Sequence, residues 1–219
     1  AEGIVISFLH GFRNAAHEAE AAKIVRETMP ELFVFTSAEI WPVIREYERT
    51  TTAIINGYVH PRVSDYLDKL QEALSKSGVS AEPLITKSNG GVMSAELGKT
   101  SCVNMVLSGT ASGVIGGAFV ARACSVDNAI TLDIGGTSAD VAVVIGGEPQ
   151  YGMGEKIGEF PLYIPSVSVT SIGDGGGSIA RVDEFGVLKV GPESAGSDPG
   201  PACYGRGGER PTITDAFAV

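Results

Sequence analysis

Short unbroken apolar runs alternate with stretches whose apolar positions recur at helical spacing through the first half of the chain. Ile4-Val5-Ile6-Ser7-Phe8-Leu9 predicts a buried strand. Asn14 is placed to cap a following helix that runs through Glu27 and is closed by Pro30. Leu32 to Phe35 predicts a second strand. Pro42 suits a first helical turn, and the helix it opens is expected to run towards Asn56 and to break or kink at Pro61. A further helix, Val63 to Ser75, should stop at Gly78. Pro83-Leu84-Ile85-Thr86 reads as a third strand, leading into the polar loop Lys87-Ser88-Asn89-Gly90-Gly91.

The second half has a different texture. Ala111 to Ala123 predicts a helix of small residues in which Gly113, Gly116 and Gly117 lower helix propensity but admit close packing. Two apolar segments, Ala129 to Asp133 and Val141 to Ile145, predict buried strands joined by a glycine-containing turn. Beyond them the chain is glycine-rich to about Pro211, with a hairpin expected over Ile179 to Val190 around Asp183-Glu184-Phe185-Gly186. Alternating strands and helices imply an α/β layer architecture, with a mixed sheet, flanking helices and a glycine-rich β-hairpin region. A boundary near residues 150 to 165 is compatible with the pattern, although no linker composition marks it.

Composition narrows the function classes. With 43% hydrophobic and 19% charged residues, the 219-residue chain can bury a core. A formal charge of -10 opposes binding to nucleic acid or an anionic membrane surface, both of which need a basic patch. No apolar run reaches the ~20 residues of a membrane span. Cys102, Cys124 and Cys203 fit neither a zinc motif nor a disulfide framework and read as small buried hydrophobes in a reducing cytoplasm. His10, His17 and His60 are scattered and read as surface or capping residues. The sequence lacks an initiator methionine and begins and stops in apolar stretches, which reads as a piece of a longer chain.

The sharpest candidate chemistry lies in Leu132-Asp133-Ile134-Gly135-Gly136-Thr137-Ser138-Ala139-Asp140-Val141. A strand there ends in a carboxylate, and glycines admit close approach of backbone to a phosphate. Thr137 and Ser138 add hydroxyls, and Asp133 can hold Mg2+ against phosphate oxygens. This is the phosphate-hairpin logic of the actin and hexokinase superfamily; an ordinary tight turn is the plain alternative. Neither a Walker loop nor a dinucleotide fingerprint is present, and a GxSxG elbow is missing. Ser171-Ile172-Gly173-Asp174-Gly175-Gly176-Gly177-Ser178 exposes donor-rich backbone and is expected to form an anion nest, a substrate loop or a flexible turn. Asn89 and Gly90 are weaker candidates of the same kind, since Asn-Gly is a common turn. Gly191 to Gly205 reads as a long irregular loop.

These segments, in this order, resemble the hydantoinase A and 5-oxoprolinase family, whose relatives include the ATP-using subunits of acetone and acetophenone carboxylases. The resemblance runs from Ser7-Phe8-Leu9-His10-Gly11-Phe12-Arg13-Asn14 through Glu46-Tyr47-Glu48-Arg49, Ser88-Asn89-Gly90-Gly91 and Ser108-Gly109-Thr110-Ala111-Ser112-Gly113-Val114. It continues through the Asp133 hairpin to Gly191-Pro192-Glu193-Ser194-Ala195-Gly196 and Thr214-Asp215-Ala216, and the stretch from Gly175 to Asp215 is its most specific part.

The resemblance implies an actin-like ATPase (ribonuclease H-like) core and a central fragment of a larger chain. Residues 1–219 would form one hydantoinase/oxoprolinase-type domain, with 1–90 ending an amino-terminal α/β part and 91–219 holding the phosphate hairpin and glycine-rich part. It further implies ATP and Mg2+ as cofactors, and phosphorylation of the carbonyl oxygen of a cyclic amide such as a hydantoin or 5-oxoproline. Asp133 would be catalytic and hold the metal, while Gly135, Gly136, Thr137 and Ser138 hold phosphate. Gly175, Gly176, Gly177 and Ser178 would join them, with Asn89, Gly90 and Asp174 towards the substrate. Asp140 is either a second catalytic contact or a hairpin residue. The chain departs from its relatives at Thr110, Ser112 and Asp174; a carboxylate at Asp174 repels phosphate unless a metal or cationic group stands there. The family's earlier phosphate hairpin and distal adenosine-binding glycines are missing, so the chain alone is expected to bind ATP weakly. A hydantoinase B-like subunit is the implied partner. An ATP-dependent ketone carboxylase subunit and a non-catalytic nucleotide-sensing module remain as alternatives.

Overall fold

A computed structural model of the protein describes every residue except Gly154 and Gly158. It divides into two compact units: residues 1–112 with 151–167, and residues 113–150 with 168–219.

In the first unit, β1 (Gly3–Ile6) leads to α1 (Ala16–Thr28) and returns in β2 (Phe33–Thr36), which pairs parallel to β1 with Gly3 opposite Phe33. A helix between parallel strands is the expected crossover. Asn14 acts one residue earlier than a cap, its Oδ1 accepting from the amide of Ala16 at 3.0 Å. Ile6, Ala22 and Val34 form a small core beneath Ile4, Ala21 and Val25.

The largest departure from the expected elements follows. Pro42 opens no helix; a single turn, α2 (Ser37–Ile40), precedes it, and α3 runs unbroken for 31 residues from Glu46 to Lys76 with Pro61 inside. A proline in a helix removes one amide and crowds the carbonyl four residues earlier, here that of Gly57. Tertiary packing outweighs that cost, because α3 is buried at Ala53, Asn56, Gly57 and Leu67.

After α3, β3 (Leu84–Thr86) and β4 (Val92–Ser94) form an antiparallel hairpin, followed by α4 (Ala95–Thr100), a 3-10 turn over Cys102–Met105, and α5 (Ser108–Ala123), whose body belongs to the second unit. The first unit is completed by later strands, β8 (Tyr151–Gly152), β9 (Glu155–Ile157), β10 (Phe160–Leu162) and β11 (Ser166–Val167). Leu162 and Ile164 from this returning segment are buried with Val103 against Ile40, Trp41, Ile55 and Val106.

The second unit centres on a four-stranded antiparallel sheet. Strand β6 (Ala139–Ile145) pairs with β5 (Ala129–Ile134) along its length, and with β7 (Glu148–Pro149) and β12 (Thr170–Ile172). Parallel and antiparallel pairings therefore occur in different sheets among the described residues. Strand β5 is an edge strand with Ile130, Leu132 and Ile134 exposed, in contrast to the buried strand its composition predicts. Its covered side meets α5: a Cβ at Gly117 would stand 2.4 Å from Cγ2 of Thr131, so only glycine fits. Gly116, expected to act likewise, faces open space.

The expected second hairpin forms from β13 (Ser178–Val182) and β14 (Leu188–Ser194). Its turn is set by Asp183, whose Oδ1 accepts from the amides of Phe185 and Val187, and by Gly186 at φ 77°. Four residues of the segment expected to be loop, Gly191 to Ser194, thus belong to a strand. The unit ends with a 3-10 turn over Ala202–Tyr204 and with α6 (Ile213–Phe217).

Candidate functional site

The site grows from the β5–β6 turn. Pairing continues to Ile134 opposite Ala139, leaving Gly135-Gly136-Thr137-Ser138 as a four-residue tip closed by a hydrogen bond from the Gly135 amide to the Ser138 carbonyl, 2.9 Å. Gly135, Gly136 and Thr137 are exposed, and Ser138 is half-buried. Two register steps below the tip, Asp133 stands opposite Asp140, so both carboxylates leave the same face of the sheet. The Ser171 hydroxyl donates to Asp140 from the neighbouring β12, whereas Oδ2 of Asp133 lies beside Gly113 of α5.

The triple-glycine loop sits directly behind this tip. The amides of Gly176 and Gly177 donate to the carbonyls of Gly135 and Gly136 at 2.9 and 2.6 Å, and the Ser178 amide donates to Gly175. A Cβ at Gly175 would lie 2.4 Å from the carbonyl carbon of Thr137, and one at Gly177 would lie 2.7 Å from the Gly136 oxygen. The glycines are therefore required by contact with the hairpin. Because the amides of Gly176, Gly177 and Ser178 are spent within the protein, the anion nest expected of this loop is not formed by them. Ser178 is fully buried, its hydroxyl donating to Gly173. Asp174 is exposed, with its Oδ1 beside Gly191.

Residues 194–215 enclose the other side of the loop. The Ala195 amide donates to Gly177, the Gly196 amide to the Ser194 hydroxyl, and both the amide and the hydroxyl of Thr214 donate to the Gly176 carbonyl at 2.8 Å. Thr212 caps α6 in a reciprocal box with Asp215. The Asp215 carboxylate also accepts from the amides of Ala202 and Cys203, chiefly the latter, which holds its pKa well below the usual carboxylate range. Between tip and enclosure lies a pocket of about 140 Å³ lined by Gly136, Thr137, Gly196, Ser197, Tyr204 and Thr214, among others. Sequence reasoning did not single out Ser171 or the role of Thr214. For Thr214 a signal existed: Thr212-x-x-Asp215 is a capping-box spacing that fixes where the last helix starts.

Asn89 and Gly90 lie in the first unit, in the β3–β4 turn, where Gly90 has φ 78° and Asn89 accepts from the Gly91 amide. Their neighbour Ser88 is buried, its hydroxyl against the Asn104 and Val106 carbonyls. The Ser7–Asn14 segment is anchored in the same unit by two fully buried charged residues. Glu18 accepts from Phe8, Ser37 and Ala38, while Arg49 donates to Ser37, Val43 and the Phe8 carbonyl. Two cysteines contradict their reading as buried residues, Cys124 and Cys203 being exposed; Cys102 is buried. His60 is half-buried and bonds through Nδ1 to the carbonyl of Lys99 at 2.7 Å, in the last turn of α4, while its ring packs edge-on between those of Phe33 and Phe35.

A glycine-tipped hairpin braced by a triple-glycine loop is the central feature of the second unit, and the profile of the hydantoinase/oxoprolinase family matches residues 49–219. The chain belongs to that family. It is 39% identical to the caprolactamase subunit alpha of Pseudomonas jessenii over 98% of its own length and 31% of that protein's. The crystal structure of that ATP-dependent caprolactamase superposes with a TM-score of 0.79, covering 100% of this chain and 32% of the other. A nucleotide-free acetone carboxylase structure, 33% identical, superposes with a TM-score of 0.81 over 98% of this chain and 31% of that one. The 5-oxoprolinase of Saccharomyces cerevisiae is 33% identical over 98% of this chain and 16% of its own length. This chain thus spans about a third or less of each relative. No helix among the described residues is long and apolar enough to cross a membrane.

Proposed function

We propose that this chain carries one phosphate hairpin of an ATP-dependent cyclic amide hydrolase, as a single domain of the hydantoinase/oxoprolinase type over residues 1–219 in an actin-like ATPase core. The observation that carries the reading is the exposed Gly135–Ser138 tip, seated on the glycine loop and flanked by the Asp133–Asp140 pair.

The residues present suit the groups that the family implies. Magnesium keeps several waters and takes one or two carboxylates together with substrate phosphates, which Asp133 and Asp140 can offer. ATP would supply a phosphoryl group that turns the ring carbonyl oxygen of the amide into a leaving group. Asp133 would hold the metal, and Thr137 and Ser138 offer hydroxyl donors at the tip. Asp140, oriented by Ser171, is a second polar contact on the same face. Binding here is positioning and charge neutralisation, the main work in phosphoryl transfer. Gly175, Gly176, Gly177 and Ser178 support the tip from behind, with Asp174, Asn89 and Gly90 kept as substrate contacts of the intact enzyme.

A second reading, an ATP-dependent ketone carboxylase subunit, is favoured by the likeness to acetone carboxylase. Either enzyme would act in the cytoplasm with a hydantoinase B-like partner; related proteins are themselves named as subunits. Hydrolysis of ATP by the intact protein with its partner, assayed with caprolactam, 5-oxoproline, hydantoins and small ketones, tests both. Stimulation by a cyclic amide supports the first reading, stimulation by a ketone with bicarbonate the second, and none from any of them removes both.

A further inference from the structure

We propose that Thr214 is a positioning residue for the phosphate hairpin, acting through Gly176. The inference rests on the reading of Gly135–Ser138 as a phosphate-holding tip and adds the residue that sets its place.

The linkage is short and made wholly of backbone and one hydroxyl. Thr214 lies in the first turn of α6, whose start is fixed by the Thr212–Asp215 box. From there its amide and its Oγ1 both grip the Gly176 carbonyl, each at 2.8 Å. The amide of the same residue, Gly176, donates to the Gly135 carbonyl, and the next amide, Gly177, to Gly136. One side-chain hydroxyl is thus a single residue removed from the tip. The packing leaves no room for slack, since a Cβ at Gly176 would lie 2.6 Å from the Thr214 Oγ1. Thr214 also lines the pocket beside Gly136 and Thr137, so the side chain that holds the loop borders the tip directly. Exposed glycines at the tip have wide conformational freedom. A tip of that kind keeps a phosphate-binding geometry only if its carbonyls are held from behind, and the grip of Thr214 on Gly176 supplies the outer half of that hold.

The test uses the intact protein with its partner and compares Thr214→Val, which removes the hydroxyl at nearly constant volume, with Thr214→Ser, which keeps it. Asp133→Asn is measured alongside. Loss of one hydrogen bond in the linkage should raise the KM for ATP about five- to tenfold in Thr214→Val. Amide hydrogen exchange of residues 134–138 should quicken in the same variant, and Thr214→Ser should restore both. Wild-type KM and wild-type exchange in Thr214→Val, with or without a fall in melting temperature, would overturn the proposal. Should Thr214→Val fail to fold, Thr214→Ala is read on the same two measurements. If Asp133→Asn retains full activity while exchange at the tip still quickens in Thr214→Val, the phosphate reading fails and the mechanical link stands.

Discussion

Asp133 and Asp140 face each other across the β5–β6 ladder two register steps below the glycine tip, and Asp140 receives the Ser171 hydroxyl from the adjoining strand. Like charges directly opposite on antiparallel strands are unfavourable by roughly 0.2–1 kcal/mol. Asp133→Asn should therefore leave the melting temperature unchanged or slightly raised, while substrate-stimulated ATP hydrolysis falls by about 10²-fold or more. A variant that hydrolyses ATP at the wild-type rate would remove Asp133 from the chemistry.

Gly175 and Gly136 make a matched pair for separating fit from freedom. At Gly175 an added methyl meets backbone atoms of Thr137 and Ser138 at 2.4 and 2.5 Å, which cannot swing aside; at Gly136 nothing lies within 4 Å. Gly175→Ala is expected to lose about 1–3 kcal/mol in urea unfolding through overpacking. Gly136→Ala should cost far less, and equal losses in the two variants would contradict the packing account.

Arg49 and Glu18 are both fully buried and meet through the Ser37 hydroxyl, which donates to Glu18 and accepts from Arg49. Removing one partner from such a network leaves the other charge uncompensated. Arg49→Met is expected to destabilise the protein by about 3–5 kcal/mol. Denaturant titration reads this directly, and a loss under about 1 kcal/mol would mean that the arginine is dispensable to the loop it holds.

Burial raises the thiol of Cys102 to about 11 from an ordinary 9.0. The folded protein therefore holds this proton more tightly than the unfolded chain. The stability it contributes is complete below pH 9 and is lost as pH rises towards 11. Alkylation by iodoacetamide at neutral pH should spare Cys102 while the exposed Cys124 reacts. Mass spectrometry of the labelled peptides checks the order, and rapid labelling of Cys102 at neutral pH would refute the burial argument.

Much of the architecture was legible in local pattern. The apolar runs from Ile4, Leu32 and Leu84, the helix after Asn14, and both hairpins around Gly135-Gly136 and Asp183-Gly186 were recoverable because period and turn residues lie within a dozen positions of one another. The pattern misled at Pro61, which reads locally as a break but is carried inside α3 by the burial of residues on either side. It misled again at β5, whose apolar residues read as core but stand exposed on an edge strand. Composition along a strand reports what a face prefers to touch and not which element covers it.

The Gly135–Ser138 hairpin itself, with its glycines, hydroxyls and flanking carboxylates, is determined by contiguous sequence, since strand, turn and carboxylate all fall between Ala129 and Ile145. The task of the triple glycine was decided by tertiary structure alone. Its amides look like a free nest until the chain path brings Gly176 and Gly177 behind Gly135 and Gly136, and Thr214 from 38 residues further along onto Gly176. A backbone amide donates to whichever acceptor the fold places within about 3 Å, and no local pattern carries that distance.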